Sequence, residues 1–397
     1  MQLQDKTIII LGYMRFDGLA STNFTIARYL SQWNDVYYID HPYTWKDYLT
    51  ADKSAKEFKI RSSLFNKRSD GILSTDCERL KVVITPPVLP INWLPEGGLY
   101  RWFLRLNETI ILKRIRKLIK KMGIEHYIYI NSFNFHFPGI LRALNPVLSV
   151  YHCVDPLIIE YDKKHGIISE KIILQESDVV ICTSKALYDE KQLINPNTYF
   201  VANGATIADP VMVLKKSYKP HTCLSAITHP IAGYLGAIER RMDFELMSQV
   251  IAQCPTVNFV FIGPISEEHV PQKFRNCQNV FLLPPIRHDE INQVLAAFDV
   301  CLIPFKADSV SRTIFPLKLF EYLGMGKPVV ATTFNTDLQS FTGDCVTYAA
   351  NAGEFVHALQ EHLISTQQQI AQRLMIAAAN TWQERTKQFA AILASHL

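Results

Sequence analysis

Lys318 and Glu321 stand three residues apart within VCLIPFKADSVSRTIFPLKLFEYLGMGKPVVAT, residues 300–332. The stretch reads as strand, loop, helix, a Gly-x-Gly stop and a second buried strand. Pro316 suits a first helical turn, where its missing N–H costs nothing. Gly324 and Gly326 mark the helix end, and Pro328 opens the next strand. A helix start of this kind presents free amides and a positive dipole end. Lys318 adds a full positive charge, which favours a diphosphate, and the Glu321 carboxylate can hold two ribose hydroxyls. By spacing alone the pair reads equally as an i,i+3 surface pair.

Other loops carry weaker signals. In IAGYLGAIERR, residues 231–241, a strand runs into Gly236, where the backbone can approach a ligand closely. Arg240 and Arg241 follow, and adjacent arginines point differently, so at most one faces a ligand. The next helix, near Asp243, would offer its amides to an anion. The first strand leads into Gly12-Tyr13-Met14-Arg15-Phe16-Asp17-Gly18, which is not G-x-G-x-x-G, so a nicotinamide dehydrogenase is disfavoured. Either this loop faces a substrate or it only reverses the chain.

A group transfer to a hydroxyl needs a carboxylate or imidazole to take the proton. Asp155, in LSVYHCVDP at residues 148–156, stands at the carboxyl end of a buried strand and is the first candidate. The competing reading is an N-cap for a helix starting at Pro156. His152 and then Asp17 follow as candidates. No metal site is expected: His136, His152 and His288 lie in different segments, and the acidic pair Glu160 and Asp162 falls in a helical stretch.

Short apolar runs such as IIIL, FVFI and VCLI, separated by helical stretches, position these residues. They lack period-two alternation, as strands buried on both faces do, and they signal parallel sheets in an α/β protein. Thirteen such runs fall into two sets. Two doubly wound domains follow, residues 1–208 and 230–380, joined by an irregular linker at 209–229. In open sheets of this kind ligands bind beyond the carboxyl ends of the strands.

Composition narrows the class. The 397 residues are 48% hydrophobic and 20% charged, an ordinary globular balance. The eight cysteines include no C-x-x-C pair and read as buried thiols of a reducing cytoplasm. The opening MQLQDKTIIILGYM lacks the order of a signal peptide, and no run reaches about 18 apolar residues, so a cytoplasmic chain without a spanning helix is expected. The net charge is +4, with 26 basic against 21 acidic residues in 1–200 and 15 against 16 in 201–397. Residues 101–121 hold eight basic residues and one acid, Glu108, with Ile110, Ile111, Leu112, Ile115, Leu118 and Ile119 at helical spacing. Such a helix either lies on an anionic membrane surface, with Trp93, Leu94 and Trp102 at the same interface, or is a domain helix with a solvated basic face. No nucleic-acid motif accompanies it, so nucleic acid is not expected as a partner.

The run 315–332, with GYLGA at 233–237 and FVFIGP at 259–264, resembles the nucleotide-binding domain of GT-B glycosyltransferases, most closely those of bacterial exopolysaccharide and cell-wall polymer assembly. DVVICTS at 178–184 and VANGA at 201–205 resemble that family's first domain. The resemblance implies two facing Rossmann-like domains, a nucleotide-sugar donor (a UDP-sugar as co-substrate, with no other cofactor) in the second, and a glycan or lipid-linked acceptor in the first. It also implies that the C-terminal helix, 381–397, returns to the first domain. Carried over, Glu321 binds the donor ribose, and Lys318 with the amides near Leu317 and Gly236 binds the diphosphate. Arg240 neutralises charge, and Gly263, Pro264 and Ile286 lie near the base. Gly12, Asp17 and His152 fall on the acceptor side, with Asp155 as base. Retaining members carry a second glutamate eight positions before the first; here that position is Thr313, which leads to an expectation of inverting, metal-independent transfer. The rivals are a sugar-nucleotide epimerase or hydrolase, and a non-catalytic sugar-nucleotide-binding scaffold. The expected location is cytoplasmic, at the inner face of the membrane if the basic helix docks there.

Overall fold

A computed structural model describes residues 3–17, 21–65, 69–157, 160–308, 310–363 and 367–397. The chain divides into two compact units, Met1–Ala202 with Arg385–Leu397, and Asn203–Glu384.

The first unit is built on β1 (Thr7–Gly12), β2 (Asp35–Ile39), β3 (Ile72–Ser74), β4 (Leu80–Val83), β5 (Ile128–Ser132), β6 (Leu148–Cys153), β7 (Val179–Cys182) and β8 (Thr198–Phe200). They form one sheet in the order β3-β4-β2-β1-β5-β6-β7-β8. The second unit has β9 (Ile231–Leu235), β10 (Asn258–Ile262), β11 (Val280–Leu283), β12 (Val300–Ile303), β13 (Val329–Thr332) and β14 (Val346–Ala349), ordered β11-β10-β9-β12-β13-β14. Every pairing is parallel except β3 with β4. All thirteen strands expected from the apolar runs are present, each within two residues at either end. The additional strand is β3, three residues at the sheet edge with no apolar run to announce it.

The expected linker 209–229 is a correction. It belongs to the second unit, where Leu224 and Ile227 are buried and the His221 amide donates to the Gln293 carbonyl. Two prolines and mixed charge describe an irregular segment, but buried side chains tie it to the sheet. The C-terminal helix Trp382–Ser395 passes into the first unit at Arg385. There Phe389 meets the His152 ring edge-on, and Tyr199 reaches His396.

The long helix Gly98–Met122 buries Leu104, Ile111, Ile115 and Leu118 against Ile9, Leu11 and Tyr129 of the first sheet. Its apolar face is therefore core and is not available to a lipid surface. Arg114, one of its eight basic residues, is buried too and donates to the carbonyls of Ile84, Asp70 and Gly71. Lys113, Arg116, Lys117 and Lys120 are exposed.

Each sheet reverses its winding once. In the first the reversal lies between β1 and β5, in the second between β9 and β12. The loops leaving those strands part from each other there and open a crevice.

Candidate active site

In the second unit the crevice is walled by Gly236, Lys318 and their neighbours. The loops after β9 and β10 are zipped together: the Gly236 amide donates to Ile262, Ile238 to Pro264, and Ser266 to Ile238. Gly236 has φ +142° and Gly263 φ +150°, conformations that side chains resist. A Cβ on Gly236 would strike the Lys318 Nζ, and one on Gly263 would strike the Gly236 carbonyl. The backbone thus comes as near to Lys318 as glycine allows.

Lys318 is in the first turn of the helix Leu317–Gly324, whose N-cap, Pro316, makes no side-chain capping bond. The Pro-to-Gly punctuation read from sequence is borne out: the helix stops at Gly324, and Gly326 turns left-handed at φ +68°. Lys318 Nζ donates to the Tyr234 hydroxyl at 2.9 Å and lies 4.1 Å from the centre of that ring and 5.4 Å from the Phe305 ring. Burial pulls the Lys318 ammonium down to about 7; the positive Arg241 adds to this, and Glu321 and Glu239 oppose it. Glu321, one turn on, is partly buried and close enough for its charge to be felt.

Arg240 is exposed, whereas Arg241 is the arginine that joins Lys318. Arg241 pairs with Glu239, lies over Phe305 at 5.8 Å and is fixed by the Lys306 amide bonding its carbonyl. Two adjacent arginines cannot be separated by sequence, and the strand-like pairing of Met242 with Phe305 decides which turns inward. The helix Phe244–Gln253 corrects a second expectation. Its N-terminus is capped by Asp243, which accepts from Leu246, so a carboxylate already occupies the place proposed for an anion. Gly263 is buried, Pro264 exposed, and Leu317 and Ile286 partly buried. Thr313 bonds its own turn at Val310.

In the first unit the crevice holds different residues from those expected. Asp17 forms a bidentate pair with Arg61 (2.7 and 2.8 Å), and the same guanidinium reaches Asp40 at 2.8 Å. Burial alone would raise the Asp17 carboxyl, but the bonds and charge of Arg61 outweigh it and hold it low. Asp40 is more deeply buried, and burial pushes it up to about 6 against the pull of Arg61. Asp17 is therefore a clamp on its loop, not a proton acceptor. Breaking such a buried network by removing one partner costs about 3–5 kcal/mol, so Arg61→Met is expected to lower the urea midpoint by that much at neutral pH, with m unchanged.

Gly12 is needed for packing, because a Cβ would enter the Tyr38 ring. Gly18 lies outside the described residues. His152 is interior: Nδ1 bonds Ser132 Oγ at 3.0 Å, its ring meets Phe389, and burial drives it down to about 3. Asp155 is exposed beyond the end of β6. The helix expected from Pro156 begins at Glu160, so Asp155 does not cap it.

Beyond the ends of β1, β2 and β5 lies a cavity of about 440 Å³ whose lining includes Arg15, His41, Lys46, Trp93, Tyr100 and His136. The His41 and His136 rings are 5.6 Å apart, and Tyr13 stacks on His136. Burial holds His41 well below its ordinary value and His136 at about 4, so both rings are neutral near pH 7. Arg15 lies 4.3 Å over Tyr43 and has a buried Nε without a bond. Sequence spacing does not single out His41 or Arg15. The available signal was their place directly after a strand end, where Asp155 was sought.

Among the described residues no helix is long and apolar enough to cross a membrane, and no three His, Cys, Asp or Glu side chains converge.

These two crevices can be set against known proteins. Residues 229–365, which contain the whole Gly236–Lys318–Glu321 arrangement, match the family described as Glycosyl transferases group 1. The chain is also similar across nearly its whole length to sucrose-phosphate synthase of Thermosynechococcus elongatus (TM-score 0.66, 15% identity, 98% of each chain). Anabaena HepE, solved with UDP, gives a TM-score of 0.65 at 16% identity over 98% of this chain and 100% of that one.

The chain has the GT-B fold, and its second unit carries a glycosyl transferases group 1 domain.

Among curated proteins, this GT-B chain is 28% identical over 222 residues to a Bacillus subtilis protein named as a teichuronic acid biosynthesis glycosyltransferase, TuaH. That match covers 50% of this chain and 54% of the relative, so the GT-B chain spans about half the length of the curated protein it resembles. The family match falls on the unit where Lys318 and Glu321 were read from sequence.

Proposed function

We propose that the chain is a glycosyltransferase that moves a sugar from a UDP-sugar to a glycan or lipid-linked acceptor of surface polysaccharide assembly. The observation that carries this is Lys318 at an uncapped helix start, pressed against the Gly236 loop, with Glu321 one turn behind it. Ammonium and amides suit a diphosphate, and the carboxylate suits the ribose hydroxyls. The UDP and UDP-glucose complexes of HepE and the name of the Bacillus relative support the donor and the pathway class.

In this reading the acceptor is held by the first unit. Its hydroxyl oxygen attacks the anomeric carbon, the bond from that carbon to the diphosphate breaks, and Asp155 takes the proton. The departing charge is met by Lys318, Arg241 and amides, as preorganised donors do in a dry site, so no divalent cation is required. The replacement of a second glutamate by Thr313 favours inversion over retention. The reaction proceeds at the cytoplasmic face of a membrane, where nucleotide sugars are available.

The test is thermal denaturation with UDP, GDP or ADP in EDTA. A ligand that binds only the native state adds about 2.7 kcal/mol at a hundredfold excess over Kd. UDP is expected to raise Tm without metal, and Gly236→Ala, which drives a methyl into Lys318, to lose most of that rise while folding normally. A shift that appears only with magnesium or manganese overturns metal independence. No shift with any nucleotide overturns the donor site.

One observation favours a second base. His136 lines the cavity and is neutral at pH 7, as a proton acceptor must be.

A further inference from the structure

The apolar face of the Gly98–Met122 helix is buried, so any docking surface must lie opposite, and that side is unusual. Leu99, Trp102, Leu106, Lys113, Lys117 and Lys120 are all exposed and follow helical spacing along one stripe. The stripe is segregated, with its first two turns apolar and its last two cationic. At about 1.5 Å per residue it runs roughly 30 Å from Leu99 to Lys120. The one acid in residues 101–121, Glu108, is turned away and accepts the Gly139 amide.

The apolar end continues onto other elements. Trp93 is 75% exposed and Trp102 54%, far outside the habit of indole rings in a soluble domain. Lys164 Nζ donates to the carbonyls of Asn92 and Trp93, which fixes that loop against the helix Glu160–Glu176. Ile168, one turn beyond Lys164, is exposed as well. An aromatic and aliphatic end beside a cationic tail matches a lipid–water interface, where indoles sit at headgroup level and lysines meet anionic lipid. It does not match a second copy of the chain. A two-fold contact along the stripe would lay one copy's apolar end on its partner's lysines.

Trp93 also lines the 440 Å³ cavity that holds Arg15, His41 and His136. Being both lining and largely exposed, it stands at the cavity mouth. We infer that this stripe docks on an anionic lipid surface through Trp93, Leu99, Trp102 and Leu106, so that the cavity opens at the headgroup layer and receives an amphiphilic acceptor's head from it. The statement about the acceptor rests on the transferase reading above, whereas the docking itself does not.

The experiment is co-sedimentation of the full chain with vesicles of phosphatidylcholine alone or mixed with phosphatidylglycerol. Two variants accompany it, Trp93→Ser with Trp102→Ser, and Lys113→Gln with Lys117→Gln and Lys120→Gln. The wild type is expected on the anionic vesicles only, with a salt-sensitive affinity. Each variant should weaken it at least tenfold while keeping the UDP-induced rise in Tm. Indole fluorescence should shift to the blue on anionic vesicles, and less so in the tryptophan variant. No binding to anionic vesicles, or binding that both variants leave intact, overturns the proposal. So does concentration-dependent self-association that the tryptophan variant abolishes. If vesicles bind as expected but UDP gives no rise in Tm, docking stands and the transferase reading falls.

Discussion

Asp155→Asn is expected to lower sugar transfer by about 10²–10⁴-fold, the usual contribution of a positioned general base, and to leave the UDP-induced rise in Tm unchanged. The side chain is exposed beyond β6 and caps no helix, so its loss should not disturb the fold. Asparagine keeps the shape and removes only the ability to take a proton. The measurement is single-turnover transfer beside thermal denaturation. His136→Gln separates the two base candidates, since its ring is held neutral by burial and lines the acceptor cavity. Loss in Asp155→Asn with His136→Gln near wild type assigns the proton to Asp155. The reverse pattern moves the base to the cavity. A normal rate in Asp155→Asn rejects the Asp155 assignment outright.

The second large effect concerns Lys318. Its pKa of about 7 in the free protein means that the ammonium is half formed near neutrality. A diphosphate favours the charged form and raises that pKa on binding. The sign follows: between the free and bound values, binding takes up a proton, so affinity falls as pH rises above 7. The terminal phosphate of UDP titrates near 6, which leaves pH 7–9 as the window where Lys318 dominates. Titration calorimetry in two buffers of different ionisation enthalpy should show uptake approaching one proton per UDP. Lys318→Met should weaken UDP by about 10–100-fold, the range for a charge-assisted bond to a buried partner, and flatten the pH dependence. A wild-type affinity that is constant from pH 7 to 9 contradicts this role.

The fold was largely legible because its strands are continuous apolar runs bounded by turn residues. β3 was not, because three residues at an edge make no run. The donor side was legible in its order, with Lys318 and Glu321 at a helix start between Pro316 and Gly324, since local capping rules act on contiguous residues. The choice of Arg241 over Arg240 was not, because it depends on Met242 pairing with Phe305, sixty residues away in the chain. The first unit was the least legible. Asp17 looked like a free carboxylate until Arg61, far along the chain, folded onto it. His41 and His136 gain meaning only when β2 and β5 flank β1. Long-range partners decided each of these, and a spacing rule does not see them.

The glycine pair after β9 and β10 bears on how such a chain can change its donor. Gly236 is filled against Lys318, and Gly263 against the Gly236 carbonyl, so the two positions are coupled and neither tolerates even a methyl without moving the other. Exposed Pro264 and partly buried Ile286, beyond the ends of β10 and β11, have no such constraint on them. A lineage diversifying its sugar nucleotide is therefore expected to vary those rim positions while the glycines stay fixed. A library aimed at new donors should be built the same way.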